Sequence, residues 1–292
     1  MVTGRRSMME LKKKHKTNTS LDFSNLHEKH LSIQISLDGF SFCIIHKIEK
    51  QIEKLKYLPF HGPASTPEKL LQNVESVFKT ERHLQKRYGS VNVTHVNQLS
   101  ELVPKSLFDK EHLRDYLKFS SKTYTNDYIV YDELENHDMV NVYIPFVNVN
   151  NFLLERFGSF EYKHFTTILV NNILNTYRYS EHPHMFAHIR EDQFELLVIA
   201  NNNLLFQNSF KFQNKEDFIY YVLFTAEQLK LNPESFEFIL AGTINTNSDL
   251  YKIAYTYIRK VSLIENRSEF RFPPQINDDS KRRHFTLLNQ YS

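Results

Sequence analysis

Glycine is scarce in this chain. Gly4, Gly39, Gly62, Gly89, Gly158 and Gly242 are the only six in 292 residues, where average usage of about 7% gives roughly 20. Loops that cradle phosphate need several glycines, because their backbone must approach the anion closely and take up positive φ; this chain has little material for them. Cysteine is scarcer still. Cys43 alone excludes an intramolecular disulfide and every cysteine-rich zinc site. It lies in an alternating apolar run, where it reads as a small buried hydrophobe, and a reducing cytoplasm is the expected compartment. Tryptophan is absent. No apolar stretch approaches the ~20 residues of a membrane-spanning helix, and the first residues lack the apolar centre of a secretory signal, so no membrane partner is expected.

Charge of one sign is missing too. Thirty-six basic residues face 34 acidic ones for a net +2, which gives no global field to draw in nucleic acid or an anionic surface. Local basic runs remain at both ends, Lys12, Lys13, Lys14 and Lys16 at one and Lys281, Arg282 and Arg283 at the other; both read as solvated tails. The phosphate loop G-x-x-x-x-G-K-[ST], the dinucleotide fingerprint G-x-G-x-x-G, the zinc motif H-E-x-x-H and the nucleophile elbow G-x-S-x-G do not occur.

What is present is apolar and aromatic. Hydrophobic residues make up 41% of the chain, with 24 Phe and 16 Tyr, each ring removing roughly 150 to 250 Å² from water when buried. Residues 1–28 are polar and aperiodic and read as a tail. From Leu31 the pattern alternates: Leu31, Ile33, Ile35 and Leu37 face one side of a strand, and Phe40, Phe42 and Ile44 resume the alternation after Asp38-Gly39, a hairpin closed by that two-residue turn. A third strand is expected over 49–58, a helix from Pro67 to Lys86, a strand over 91–97, a helix over 109–119 capped by Asp109, and strands over 127–133 and 139–146.

After 148–157 and a helix over 165–177 the order returns. Strands are expected at 184–190, 194–200 and 204–212, with Asn201, Asn202 and Asn203 forming a turn because asparagine tolerates positive φ. A helix at 215–230, a strand at 236–241, a helix at 248–259 and a strand at 260–265 follow. Three strands, helix, strand, helix, strand thus occur twice, which implies two lobes, each a mixed sheet covered by helices. The boundaries read as lobe I over 29–147, lobe II over 148–270 and a tail over 271–292 with an edge strand at Phe285 to Leu288.

The segments LSIQISLDGFSFCIIH, VNVTHVNQLSELVPKSLF and FELLVIANNNLLFQNSFKF resemble a bacterial family of domains of unknown function. Its fold is that of the actin, sugar kinase and Hsp70 ATPases, two tandem ribonuclease-H-like lobes of mixed β-sheet. The resemblance implies three places to inspect for ATP and Mg²⁺: an Asp-x-Gly turn between the first two strands of each lobe, and a Gly-Gly pair after a late strand of lobe II. Aligned on Gly39, the first acid position holds Leu37, and Asp38 is one residue off, which in a strand turns the side chain to the opposite face. In lobe II the hairpin is Arg190, Glu191, Asp192 and Gln193, without glycine. The late strand ends Ala241-Gly242-Thr243, with one glycine of the pair, read as serving close packing of strand on helix. Asp38, Gly39, Asp192 and Gly242 are therefore the candidate residues of a degenerate nucleotide cleft.

Other chemistry finds less support. His182, His184 and His188 are close in sequence but lack a converging fourth ligand and read as polar residues of a strand edge. A two-metal nuclease of related topology needs an Asp within the first strand, and 31–37 has none. A nucleic-acid face would interleave basic and aromatic residues, of which KHFTTILVNNILNTYRY is a sparse version. The expected function is a noncatalytic actin-like module that binds a protein partner, without cofactor; a nucleotide-binding member with atypical loops is the first alternative and a nucleic-acid-associated role the second.

Overall fold

The computed structural model describes residues 26–118, 123–265 and 268–291. The first three strands, β1 (Lys29–Ile35), β2 (Gly39–His46) and β3 (Gln51–Pro59), form an antiparallel meander. Leu31, Ile33 and Ile35 are fully buried, as the alternation requires, and so is Ser32 on the other face; the sheet is covered on both sides. Cys43 is buried in β2. Helix α1 (Pro67–Thr80) opens with Pro67 after Thr66, whose hydroxyl accepts the Lys69 N–H at 3.2 Å, and buries Leu70, Val74 and Phe78 at four-residue spacing. The helix stops at Thr80 rather than Lys86. Glu81 is extended and takes hydrogen bonds from Lys56 of β3 and from His83, which ties the chain to the sheet and starts a 3-10 turn at Arg82.

Strand β4 (Ser90–His95) runs parallel to β1. A separate three-stranded antiparallel sheet follows, made of β5 (Ser100–Pro104), β6 (Val130–Glu133) and β7 (Met139–Tyr143) in the order β5-β7-β6. The helix expected over 109–119 is a 3-10 turn capped by Asp109, then the short α2 (Leu113–Leu117); Phe119 lies outside the described residues. The chain then returns through α3 (Val147–Phe157), which packs on α1, and β8 (Glu161–His164), parallel to β4. Residues 148–164, expected in lobe II, thus complete the first sheet, whose order is β3-β2-β1-β4-β8.

Helix α4 (Phe165–Thr176) leads to lobe II. Here β9 (His184–Ile189), β10 (Gln193–Ala200), β11 (Asn203–Lys211), α5 (Lys215–Gln228), β12 (Glu237–Gly242), α6 (Asp249–Tyr257) and β13 (Lys260–Leu263) build a sheet of order β11-β10-β9-β12-β13, the connectivity of the first sheet repeated. Asn201 and Asn202 take φ of 50° and 60° in the turn. His184 and His188 lie on β9, the central strand, and are buried; they are not edge residues.

The C-terminal segment departs most from expectation. Residues 285–288 form no strand. They lie in α8 (Phe285–Asn289), preceded by α7 (Asp278–Arg283), and Leu287 and Leu288 are buried with Cys43, Ile45 and Ile52 of lobe I. Meanwhile Phe165, Leu169, Val170, Ile173 and Leu174 of α4 pack with Phe186, Leu197 and Ile239 of lobe II, and Phe285 joins them. Each lobe is therefore covered on its inner face by a helix from the other lobe's end of the chain.

Gly242 ends β12 with φ of +85°, and a Cβ there would stand 2.0 Å from the Ile189 carbonyl oxygen. The close packing it permits is against the neighbouring strand β9, not a helix. Gly62 has φ of +86° with nothing near its Cβ position. Gly62→Ala should cost about 1 kcal/mol, the steric price of positive φ alone, whereas Gly242→Ala adds a backbone collision and should cost at least about twice that; urea unfolding of the two variants side by side measures the difference.

Candidate functional site

The two hairpin turns come together between the lobes, where Tyr57 of β3 has Asp38 of one turn and Glu191 of the other around it, and this meeting place is the cleft of the fold. The turns are built alike. In lobe I the Ser36 N–H donates to Gly39 O at 3.0 Å and the Phe60 N–H to Asp38 O at 2.8 Å; in lobe II Arg190 N–H donates to Gln193 O at 2.8 Å and Phe212 N–H to Asp192 O at 3.0 Å. Asp38 and Asp192 are thus equivalent residues of the repeat. The loop residues are Leu37 and Asp38, with Gly39 already in β2, so the first turn sits one residue earlier than the sequence pattern places it. The Ser36 side chain decides this, accepting the Gly39 N–H at 3.2 Å.

Gly39 is buried, and a Cβ on it would lie 2.5 Å from the Tyr57 ring. The opening this glycine leaves is filled by an aromatic side chain from β3. Tyr57 has Asp38, Glu191 and Arg283 around it: burial pushes its phenol up, the two carboxylates push the same way, and Arg283 pulls it down. Arg283 lies with its guanidinium 5.7 Å from the Tyr57 ring centre. Its neighbour Arg282 reaches the other lobe, donating to Ile244 O at 3.1 Å just past Gly242 and pairing with Asp279 at 2.7 Å. The basic run read as a solvated tail is thus a helix between the lobes, with Arg282 only 8% exposed.

The floor of the cleft is a joint of buried rings. His95 and His164 are register partners at the ends of β4 and β8; His188 packs on Phe165 at 5.0 Å, and Arg190 lies over the same ring at 5.2 Å. Arg190 also pairs with the buried Glu195 at 2.7 Å. Gln98, on the loop after β4, meets Gln193 of the lobe II hairpin. His184 pairs with Glu237 at 3.2 Å, and among the described residues no group of three His, Cys, Asp or Glu is placed to hold a metal ion.

The family resemblance names Asp38, Gly39, Asp192 and Gly242 as candidates; Tyr57, His95 and His164 are not among them, and Arg190, Arg282 and Arg283 read only as hairpin or tail residues. The doubled topology carried the signal: residues at the ends of β1, β4, β9 and β12 must share a cleft, and His95 and Arg190 hold such positions.

Burial drives the joint's acid response. It pushes His95 down to about 4 and His164 and His188 down to about 3, with the Arg190 charge adding to the last two. All three are neutral when folded, while the unfolded chain takes up protons near 6.5. The stability they supply is complete above that pH and falls as pH drops from 6.5 toward the folded values. The urea midpoint should accordingly decline steeply between pH 6.5 and about 4.5, and His188→Phe, which removes one titrating ring, should flatten the decline.

The family model described as a protein of unknown function, DUF3822, matches residues 18–261. No curated protein matches the chain. A Bacteroides thetaiotaomicron VPI-5482 protein described as having an actin-like ATPase fold and unknown function is 26% identical at a TM-score of 0.75, covering 91% of this chain and 98% of that one. A chain of the PilM-PilN type IV pilus biogenesis complex is 12% identical at a TM-score of 0.56, covering 89% and 96%, a likeness of fold alone. No helix among the described residues is long and apolar enough to cross a membrane. With the doubled sheet and its cleft in hand, the matched span shows that this chain belongs to the DUF3822 family, of unknown function, and has the actin-like ATPase fold.

Proposed function

We propose that this protein is a noncatalytic member of the actin-like fold that serves as an interaction or scaffold module, with its nucleotide cleft given over to its own side chains. One observation carries the reading: α7 occupies the space between the lobes, Arg282 holding the Ile244 carbonyl beside the Gly242 turn and Arg283 covering Tyr57 beside Gly39. On this reading Mg-ATP has no place in the arrangement. Phosphate oxygens approach a backbone where glycine leaves space, and the spaces at Gly39 and Gly242 are filled by the Tyr57 ring and the Ile189 carbonyl. Asp38 and Asp192 stand on separate turns, and among the described residues no group of three His, Cys, Asp or Glu is placed to share a cation.

A scaffold needs a surface, and the inserted sheet offers one. Tyr124, Tyr128 and Tyr131 on or beside β6 are 62, 59 and 40% exposed, and Leu107 is 69% exposed, a concentration of side chains that dominate protein interfaces when covered. A protein of the same fold stands in the PilM-PilN complex, and a protein partner is the kind we assign here.

Thermal unfolding with and without Mg-ATP tests the cleft. A ligand at 100 times its dissociation constant adds ~2.7 kcal/mol to the folded state, about 4 °C in a chain of this size. We expect no shift with millimolar ATP, ADP or GTP. A saturable, magnesium-dependent shift that Asp38→Asn or Asp192→Asn abolishes would establish the other reading, a nucleotide-binding protein with atypical loops, which the equivalent placement of those two residues favours.

A further inference from the structure

A second concavity lies at the opposite end of the first sheet. Strand β8 pairs with β4 only from Asn92 to His95, which leaves the start of β4 without a neighbour on that side. The notch is a cavity of about 640 Å³ between Ser90, the turn from α3 to β8, and Gln290 and Tyr291 at the end of the chain. It contains none of the hairpin residues. Ser90 lies five residues before His95, roughly 17 Å along the strand from the cleft. This inference is independent of the reading of the cleft.

The walls carry the rings of Tyr88, Phe160, Tyr162 and Tyr291. Most neutral polar groups at the base are already committed. His30 shares hydrogen bonds with Ser90 at 2.8 Å and Ser32 at 3.1 Å, and the Asn92 side chain and Gln290 exchange hydrogen bonds with each other's backbone at 3.2 and 3.3 Å. Burial and the Lys47 charge push His30 down to about 4, so at neutral pH it brings no positive charge. Lys163, the one lysine of the lining, is paired with Glu135 at 3.6 Å. The remaining carboxylate, Glu161, makes no side-chain hydrogen bond or ion pair among the described residues. The cavity thus presents aromatic rings, the Glu135–Lys163 pair and the unpaired carboxylate of Glu161.

Aromatic rings and one unpaired carboxylate, Glu161, select one ligand chemistry. A cation within about 6 Å of an aromatic face is attracted by the ring, and the rim carboxylate of Glu161 steers it inward; an anion meets that unpaired carboxylate, while Lys163 is already engaged by Glu135. We propose that this cavity binds an organic cation, a guanidinium or alkylammonium head, either as a free small molecule or as the end of a basic side chain.

The absence of tryptophan makes the test direct, because emission of the intact protein reports tyrosine alone. Agmatine and N-acetylarginine amide are titrated into the full chain at low salt, with succinate as the anionic control, and calorimetry is run in parallel. Saturable binding of a cation, none of succinate, and loss of affinity with added salt are expected. Glu161→Gln, at an exposed position, should weaken binding about fivefold, the scale of one exposed charge pair. Ser159→Trp, also exposed on the lining, should block the mouth. If both cations bind, the site accepts a side chain; if agmatine alone binds, it takes a free amine. No saturation by either cation at about 50 mM, where even a ligand worth only ~2 kcal/mol shows, or equal binding to Glu161→Gln of unchanged melting temperature, would overturn the proposal.

Discussion

The contact between α4 and α8 is where the two lobes become one body. Helix α4 leaves lobe I and lays Leu169, Val170, Ile173 and Leu174 on the sheet of lobe II, while α8 leaves lobe II and lays Leu287 and Leu288 on lobe I. Each such side chain contributes roughly 1.5 to 3 kcal/mol when removed from water, a total that rivals the net stability of a whole domain. Neither lobe can bury its inner face without the other's helix. Polar contacts then fix the register, with Thr286 donating to Gln34 at 2.7 Å and Asn172 to Asn289 O at 3.3 Å.

The state of the cleft follows from that exchange. Because α8 must lie on lobe I, the six residues of α7 before it are carried across the mouth between the hairpins, and their sequence there is Asp-Asp-Ser-Lys-Arg-Arg. Arg282 is thereby desolvated and needs acceptors, which Asp279 and the Ile244 carbonyl supply. Arg283 stays exposed and lies over Tyr57. The same constraint brings the C-terminal residues Gln290 and Tyr291 to the start of β1 and β4, where the Tyr291 ring packs on His30 at 4.3 Å. One short segment therefore shapes both the cleft and the notch beside β8.

Much of the architecture was legible because alternation in sheets covered on both faces is a strong signal. The meander Lys29–Pro59 and its counterpart His184–Lys211 stand close to where period-two patterning puts them, and the turn at Asn201 and Asn202 follows from asparagine's tolerance of positive φ. What failed was short or long-range. Strand β8 is Glu-Tyr-Lys-His, four residues with no alternation to read, so the boundary between lobes was drawn before it. Phe285 to Leu288, Phe-Thr-Leu-Leu, is too short to separate strand from helix by period. Charge misled at Arg282, since a basic run gives no hint of a carbonyl 38 positions earlier waiting to accept from it. In the site, Asp38, Gly39, Asp192 and Gly242 were named by the family resemblance, whereas Tyr57 was not, because only the fold brings this residue near the end of β3 against Gly39.

Hydrogen exchange of backbone amides along 278–291 tests the claim that this segment binds the lobes together. The account predicts that the amide of Leu288, which donates to His284 O at 2.9 Å beneath the first sheet, exchanges as slowly as those of β1 and β9, through opening of the whole molecule. Exchange of Phe285 to Leu288 within seconds, while β1 and β9 stay protected, would contradict it.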